Sequence, residues 1–254
     1  MDLKLSTFLI VCPLVFLASF VDSIGGGGGL ISLPAYLFAG IPVHNAVATN
    51  KLSSATGTLI STIRLCKNKY MDLPLAIPGI VAALIGSVIG ANLVLLVDDK
   101  ILKGLLIVLL PVIAFYVLRK KDTEKEDQKK ISRKMEFVIA TVVSFLIGMY
   151  DGFYGPGTGT FLILAYTGLV KMDVLTAAGN TKLVNLTSNI SALVVFLVNG
   201  VVILPLGLAA SVFSIAGHYI GAGMVMKSGS KIVRPIILVV VLLLFVKVVA
   251  EGIA

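Results

Sequence analysis

In this chain two lysines stand near the middle of expected spans, and two aspartates close apolar runs. Lys51 lies in the run Val43 to Ile63, and Lys182, 131 residues later, in the run Asp173 to Val198. Asp22 closes one apolar run and Asp151 closes another, 129 residues later. Near the middle of a bilayer a charged side chain costs roughly 2.5 to 3.5 kcal/mol on insertion scales, so such groups face the protein interior and mark sites. Snorkelling does not remove them: a lysine stem reaches about 6 Å, whereas about nine residues of helix leave about 14 Å to cover.

The company these lysines keep suggests an anion. Thr49, Asn50 and Lys51 in one run, and Asn180, Thr181, Lys182 and Asn185 in the other, put amides, hydroxyls and an ammonium together. Those groups donate hydrogen bonds and suit an oxyanion. Asp22 and Asp151 stay open between capping a helix, neutralising a lysine and carrying a coupling proton.

Each aspartate borders backbone that cannot remain helical. Val21-Asp22-Ser23-Ile24 runs into Gly25 to Gly29, and Tyr150-Asp151-Gly152-Phe153-Tyr154 runs into Gly155-Pro156-Gly157-Thr158-Gly159. Glycine loses entropy in a helix and proline removes a hydrogen bond, so both stretches read as hinges. Broken backbone survives at membrane depth only where it lines a cavity or is buried in protein. A helix restarting after such a hinge aims free N–H groups and a positive dipole end at what precedes it. Gly27, Gly28, Gly157 and Thr158 are therefore candidate backbone contacts to an anion. The second hinge has no following Lys-Ser/Thr, so it is not a nucleotide loop.

The elements that position these residues follow from composition. With 57% hydrophobic and 13% charged residues in 254, the chain is an integral membrane protein. The net charge of +8 does not indicate nucleic acid, because eight of the 21 basic residues crowd into Arg119 to Lys134, mixed with acids. That run is a solvated connector whose Lys/Arg density places it in the cytoplasm. Cys12 and Cys66 read as packing residues, and His44 and His218 as packing or gating groups rather than metal ligands. Expected spans are Leu3 to Val21, Val43 to Ile63, Leu73 to Val97, Ile101 to Leu118, Phe137 to Tyr150, Asp173 to Val198, Ile203 to Met226 and Ile232 to Val249. Leu30 to Ile41 and Thr160 to Thr167 are too short to cross and read as re-entrant half-helices.

The two halves match in register. At an offset of 131, Lys51 meets Lys182, Thr56 meets Thr187, Pro74 meets Pro205, Gly86 meets Gly217, Gly90 meets Gly221 and Lys100 meets Lys231. The expected fold is an all-α polytopic membrane protein of about eight transmembrane helices in two homologous four-helix repeats, each with a Gly-rich broken or re-entrant segment. Residues 1–118 form the first repeat, 119–136 the charged cytoplasmic linker and 137–254 the second repeat. Four spans per half make the repeats parallel, with both termini cytoplasmic; counting a half-helix as a crossing makes them inverted. The small residues at Gly86 and Gly90 have the spacing of close helix packing.

Taken together, the Gly25 to Gly29 run with Pro34, Ala48-Thr49-Asn50-Lys51, Gly155-Pro156-Gly157-Thr158-Gly159, and Gly179-Asn180-Thr181-Lys182 with Asn185 resemble the sulfite exporter TauE/SafE family of membrane permeases. The resemblance covers nearly the whole chain. It implies a multi-spanning plasma-membrane transporter of small sulfur oxyanions or organosulfonates. The expectation is thus a secondary transporter of a small anion, sulfite or an organosulfonate, working by alternating access between the repeats without metal or cofactor. Lys51 and Lys182 would neutralise the anion, and Thr49, Asn50, Asn180, Thr181 and Asn185 would orient it. An anion channel, a carrier of small carboxylates and a non-transporting assembly subunit are the alternatives, and homo-oligomerisation is left open. No serine–histidine–acid set, His-Glu-x-x-His or cysteine–histidine pair argues for an enzyme.

Overall fold

A computed structural model describes residues 3–98, 101 and 131–228, all helix and connecting loops. Its helices are α1 (Leu5–Gly25), α2 (Gly29–Phe38), α3 (Val43–Lys67), α4 (Leu73–Leu95), α5 (Arg133–Phe153), α6 (Thr158–Gly168), α7 (Val174–Val198) and α8 (Leu204–Ser228). The expected spans Ile101 to Leu118, beyond Ile101, and Ile232 to Val249 lie outside the described residues. So do most of the charged linker and the Lys100–Lys231 register pair.

Five of these helices, α1, α4, α5, α7 and α8, are long and apolar enough to cross a membrane. The chain is a multi-pass membrane protein. α3 is as long as α7, at 25 residues, but buries Thr49, Lys51, Ser53, Thr58, Ser61 and Thr62 among its neighbours. Its polar groups are shielded by protein, which is why its low hydropathy is tolerated. The outward faces of the other helices carry exposed aliphatic side chains such as Val81, Leu84 and Ile85 on α4.

Several helix starts are written locally. Asp72 caps α4 by accepting from the Leu75 N–H at 3.2 Å, and Asp173 caps α7 by accepting from Leu175 and Thr176 at 3.1 and 3.0 Å. Helix ends at the hinges fall later than expected. α1 continues past Val21 to Gly25 and α5 past Tyr150 to Phe153, so both aspartates sit in the last helical turn rather than in the loops. The break comes only where the backbone turns to positive φ, at Gly26 (76°) and Gly27 (83°), and at Gly155 (97°) and Gly157 (85°). Only glycine takes that conformation without strain.

Helix directions can be followed through the packing contacts. Along α3 and α8, Thr49 meets Ile203, Gly57 meets Ser214 and Arg64 meets Tyr219, so the two run in parallel. α1 runs the same way, with Phe16 against Gly217 and Ser23 against Gly221. α4 and α5 are parallel to each other, with Gly86 against Phe145 and Gly90 against Met149, and α7 follows α4 through the Asp72–Asn180 and Ser87–Ser188 hydrogen bonds. α3 and α7 are antiparallel: Lys51 bonds Asn189 and Thr62 bonds the Lys182 carbonyl. Helices at matching register positions therefore point in opposite directions.

This arrangement departs from the parallel reading. The reason lies in α2, which folds back along α1, with Gly28 against Ala18 and Asp22. It returns the chain to the end where α1 began, so α3 runs with α1 instead of against it. α6 folds back along α5 in the same way, its Tyr166 hydroxyl bonded to Ser144 at 2.7 Å. The start of α1 and the start of α5 consequently lie at opposite ends of the bundle. Arg133, at the end of the linker, shares its end with Lys67 and bonds Asp72 at 2.8 Å.

Small residues hold both lateral interfaces. Cβ atoms at Gly86 or Gly90 would run into α5 backbone, and Cβ atoms at Gly217 or Gly221 into α1 backbone or Ser23. Leucine at Gly86 or Gly217 is expected to lower the melting temperature of the purified protein sharply, because overpacking costs at least about 1 to 3 kcal/mol. Leu84→Ala on the exposed face of α4 is expected to leave it nearly unchanged. Equal melting curves for the three variants contradict this packing.

Candidate functional site

The two hinges meet in the middle of the bundle. Gly26 lies directly on the backbone of Gly159 and Thr160, and the Thr160 hydroxyl donates to the Gly25 carbonyl at 3.0 Å. Neither Gly26 nor Gly159 has room for a Cβ, which explains the density of glycine at this crossing. α2 and α6 thus start at one place and leave toward opposite ends, presenting two positive dipole ends to a common centre. Around that centre lies a narrow polar cavity of about 30 Å³. A space of that size holds about two waters.

The charges at the cavity are crossed between the halves. Lys51 on α3 pairs with Asp151 on α5, Nζ to Oδ2 at 2.8 Å. Lys182 on α7 pairs with Asp22 on α1, Nζ to Oδ2 at 2.9 Å, and also donates to the Asp22 carbonyl. Each lysine is therefore neutralised by the hinge aspartate of the other half, and the two lysines and two aspartates sum to zero formal charge. The surroundings differ. Lys51 also donates to Asn189 at 3.0 Å, Ser188 donates to Asp151 at 2.6 Å, and the side chains of Lys51 and Asp151 are each only 3% exposed. Asp22 is 16% exposed; it accepts from the Gly28 N–H at 3.0 Å and has the His218 Nε2 at 3.6 Å. Asp22 thus holds at once the N–H of Gly28, just ahead of α2, and the Lys182 ammonium. Gly155 closes over the other pair, where a Cβ would sit 3.0 Å from the Lys51 ammonium.

Nine of the residues expected at the site line the cavity: Asp22, Gly27, Gly28, Asn50, Lys51, Asp151, Gly157, Thr158 and Asn185. Lys182 reaches it through Asp22. Thr49 and Asn180 stand elsewhere, in matching roles. Thr49 accepts the Ile203 N–H ahead of α8 at 3.0 Å, and Asn180 accepts the Asp72 N–H ahead of α4 at 2.9 Å. The pairs 49 with 203 and 180 with 72 exchange under the 131-residue register, so one structural clamp is used twice. Thr181 is fully buried and does not line the cavity. Among the described residues, the buried side-chain oxygens without a hydrogen-bond partner are Asn50 Oδ1 and Thr181 Oγ1, again 131 positions apart and each just before its lysine.

Sequence reasoning does not bring Asn189, Ser188 or His218 to the site. Asn189 is within its reach, since it stands one helical turn after Asn185, and its amide donates to the Asn185 Oδ1 at 2.7 Å. His218 is visible as a titratable group in an apolar span, but nothing local connects it to Asp22, on a helix 196 positions away in sequence. Removing one member of a buried pair leaves an uncompensated charge, which costs about 3 to 5 kcal/mol. Lys51→Met and Asp151→Asn are each expected to lower thermal stability by that order, and the double variant by much less than their sum. Strict additivity contradicts the pairing.

Comparison with known proteins follows the same lines. The family described as Sulfite exporter TauE/SafE matches residues 11–248. A probable membrane transporter protein of Sinorhizobium is 37% identical, over 97% of this chain and 93% of its own length. A probable membrane transporter protein of Haemophilus influenzae is 33% identical over 99% and 98%. The probable membrane transporter protein YfcA of Escherichia coli is 36% identical over 88% and 82%. No solved structure matches the chain. The match across both hinges and both lysine-bearing helices means that the chain belongs to the sulfite exporter TauE/SafE family and is a membrane transporter.

Proposed function

We propose that the protein is a secondary transporter of a small anion, a sulfur oxyanion such as sulfite or an organosulfonate, which binds where the two hinges meet. The observation that carries this reading is the pair of buried lysines at a cavity onto which two half-helices direct their N-termini. The half-helix N-termini favour negative charge, a lysine released from its aspartate would add to it, and both features sit where broken helices give a membrane transporter its binding site. The unpartnered Asn50 Oδ1 is an acceptor and supports a water in this cavity, since buried polar atoms in native structures are nearly always paired. The family name and the small size of the cavity agree with an anion of few atoms.

Residues 1–118 and 137–254 act in this reading as two inverted repeats joined by the charged linker. The exchange of the crossed ion pairs and of the Thr49 and Asn180 clamps under one register supports that division. Rocking of one hairpin against the other around the glycine contact would open the cavity alternately to each side. Arg133 at the end of the linker, Lys67 and Lys227 share one end of the bundle, which the positive-inside rule assigns to the cytoplasm of a plasma-membrane protein. The start of α1 then faces the opposite side.

Flux into proteoliposomes tests the proposal. Labelled sulfite or thiosulfate is expected to show saturable counterflow, and Lys51→Met with Lys182→Met is expected to reduce it by at least about tenfold, the loss of roughly 1.4 kcal/mol or more of binding. Full flux in that double variant removes the lysines from the mechanism. Ohmic current without counterflow makes the protein a channel, and exchange of small carboxylates alone overturns the sulfur anion.

A further inference from the structure

The two crossed ion pairs are not equivalent, and the difference falls on one side chain. Register position 218 corresponds to position 87, so His218 on α8 stands where α4 carries Ser87. Ser87 donates to the Ser188 carbonyl at 2.6 Å and does not titrate. The His218 Nδ1 lies 3.1 Å from the Ser19 carbonyl. A carbonyl only accepts, so Nδ1 carries the hydrogen in the neutral ring and Nε2 presents a lone pair. That lone pair accepts a long hydrogen bond from the Thr58 hydroxyl at 3.4 Å and lies 3.6 Å from Asp22 Oδ2, a second acceptor. Two acceptors facing each other in a buried place lack the proton that would join them.

The remaining groups around Asp22 define what such a proton would do. Lys182 on α7 holds Asp22 Oδ2, and the Gly28 N–H of α2 holds Oδ1. Lys51 of α3 and Asp151 of α5 line the same cavity but are engaged with each other and with Asn189 and Ser188. No titratable side chain of α2 lines the cavity. An anion entering this neutral cavity meets no unmatched positive charge as long as Asp22 occupies Lys182.

We propose that Asp22 and His218 form the binding site of a single coupling proton, and that this proton, by drawing Asp22 from Lys182 toward a protonated His218, frees the Lys182 ammonium for the anion. The inference rests on the anion-transport reading of the site. The proton arrives from the bulk at Nε2, no covalent bond beyond N–H forms, and the proton returns to the opposite bulk phase when the anion leaves and Asp22 re-forms its pair. One proton thus moves with one anion. Asp151, held by Ser188 and Lys51 and without a histidine, stays a fixed counter-charge.

The test uses the full chain in proteoliposomes loaded with a pH-sensitive dye, with labelled methanesulfonate or thiosulfate, both ionised at every pH used. In the wild type, an acidic exterior is expected to raise anion accumulation several-fold over equal pH, and the dye is expected to report acidification that depends on the anion. In His218→Gln, or in His218→Asn if the first variant does not fold, the residual anion flux is expected to ignore the pH gradient and to bring in no proton. In Asp151→Asn, any residual flux is expected to stay gradient-driven. Where residual flux is too small to read, binding of the same anions to the detergent-solubilised protein is measured in buffers of different ionisation enthalpy: proton uptake on binding in the wild type and none in the folded histidine variant is expected. Wild-type exchange that moves no proton, or a folded histidine variant that is still driven by the gradient or still takes up a proton on binding, overturns the proposal and leaves the transporter standing, while weaker anion binding by the folded histidine variant is expected. If the wild type neither exchanges nor binds any of these anions, the sulfur-anion reading itself fails and this inference falls with it.

Discussion

An ammonium at membrane depth needs a counter-charge, and for Lys51 and Lys182 that counter-charge comes from the other half of the chain. Lys51 depends on Asp151 and Lys182 on Asp22. The cost of an unpaired buried charge is larger than that of most single packing defects, so the two pairs tie the halves into one register. Much else follows from that tie. The hinge aspartates must lie in the last turns of α1 and α5 to reach across, and Gly155 must lack a side chain for the second pair to close.

The hairpins solve the complementary problem of broken backbone in an apolar solvent. α1 with α2, and α5 with α6, enter from opposite ends and touch at Gly26 and Gly159. Polar groups at the crossing are thereby satisfied: the Thr160 hydroxyl donates to the Gly25 carbonyl across the hairpins, and Asp22 accepts the Gly28 N–H within its own. A glycine-to-glycine contact has no side chains to interlock, so it resists sliding less than the lateral interfaces at Gly86, Gly90, Gly217 and Gly221, where helices lock through close backbone approach. In the proposed transporter the rigid part is lateral and the mobile part central, which suits a gate around a fixed site. The symmetry is incomplete at the aspartates: Asp151 is 3% exposed and held by Lys51 and Ser188, whereas Asp22 is 16% exposed with His218 beside it.

The two buried lysines, the two aspartates and the glycine hinges are legible in the sequence, because each is an anomaly against its own neighbours along the chain. The 131-residue register is legible too, and the caps at Asp72 and Asp173 are local chemistry. The sense of the hairpins is not. Whether α2 leaves toward the end where α1 began or the opposite one depends on its packing against Ala18 and Asp22, not on its own composition, and that choice reverses every later helix. Thr49 and Asn180 resemble ligand groups because each stands two residues before a lysine. Two residues apart on a helix, side chains leave from different faces, so both turn to other partners, the backbone amides of Ile203 and Asp72.

The sequence by itself thus determined that this is a helical membrane protein with charged groups and broken helices placed twice, since hydropathy, glycine conformation and buried charge act through a residue's immediate surroundings. Only the tertiary structure decided which lysine meets which aspartate, that matching helices run in opposite directions, and that His218 stands beside Asp22. Those are contacts between groups separated by 100 residues or more in the chain. Each is selected by the packing of whole helices, and no local pattern encodes it.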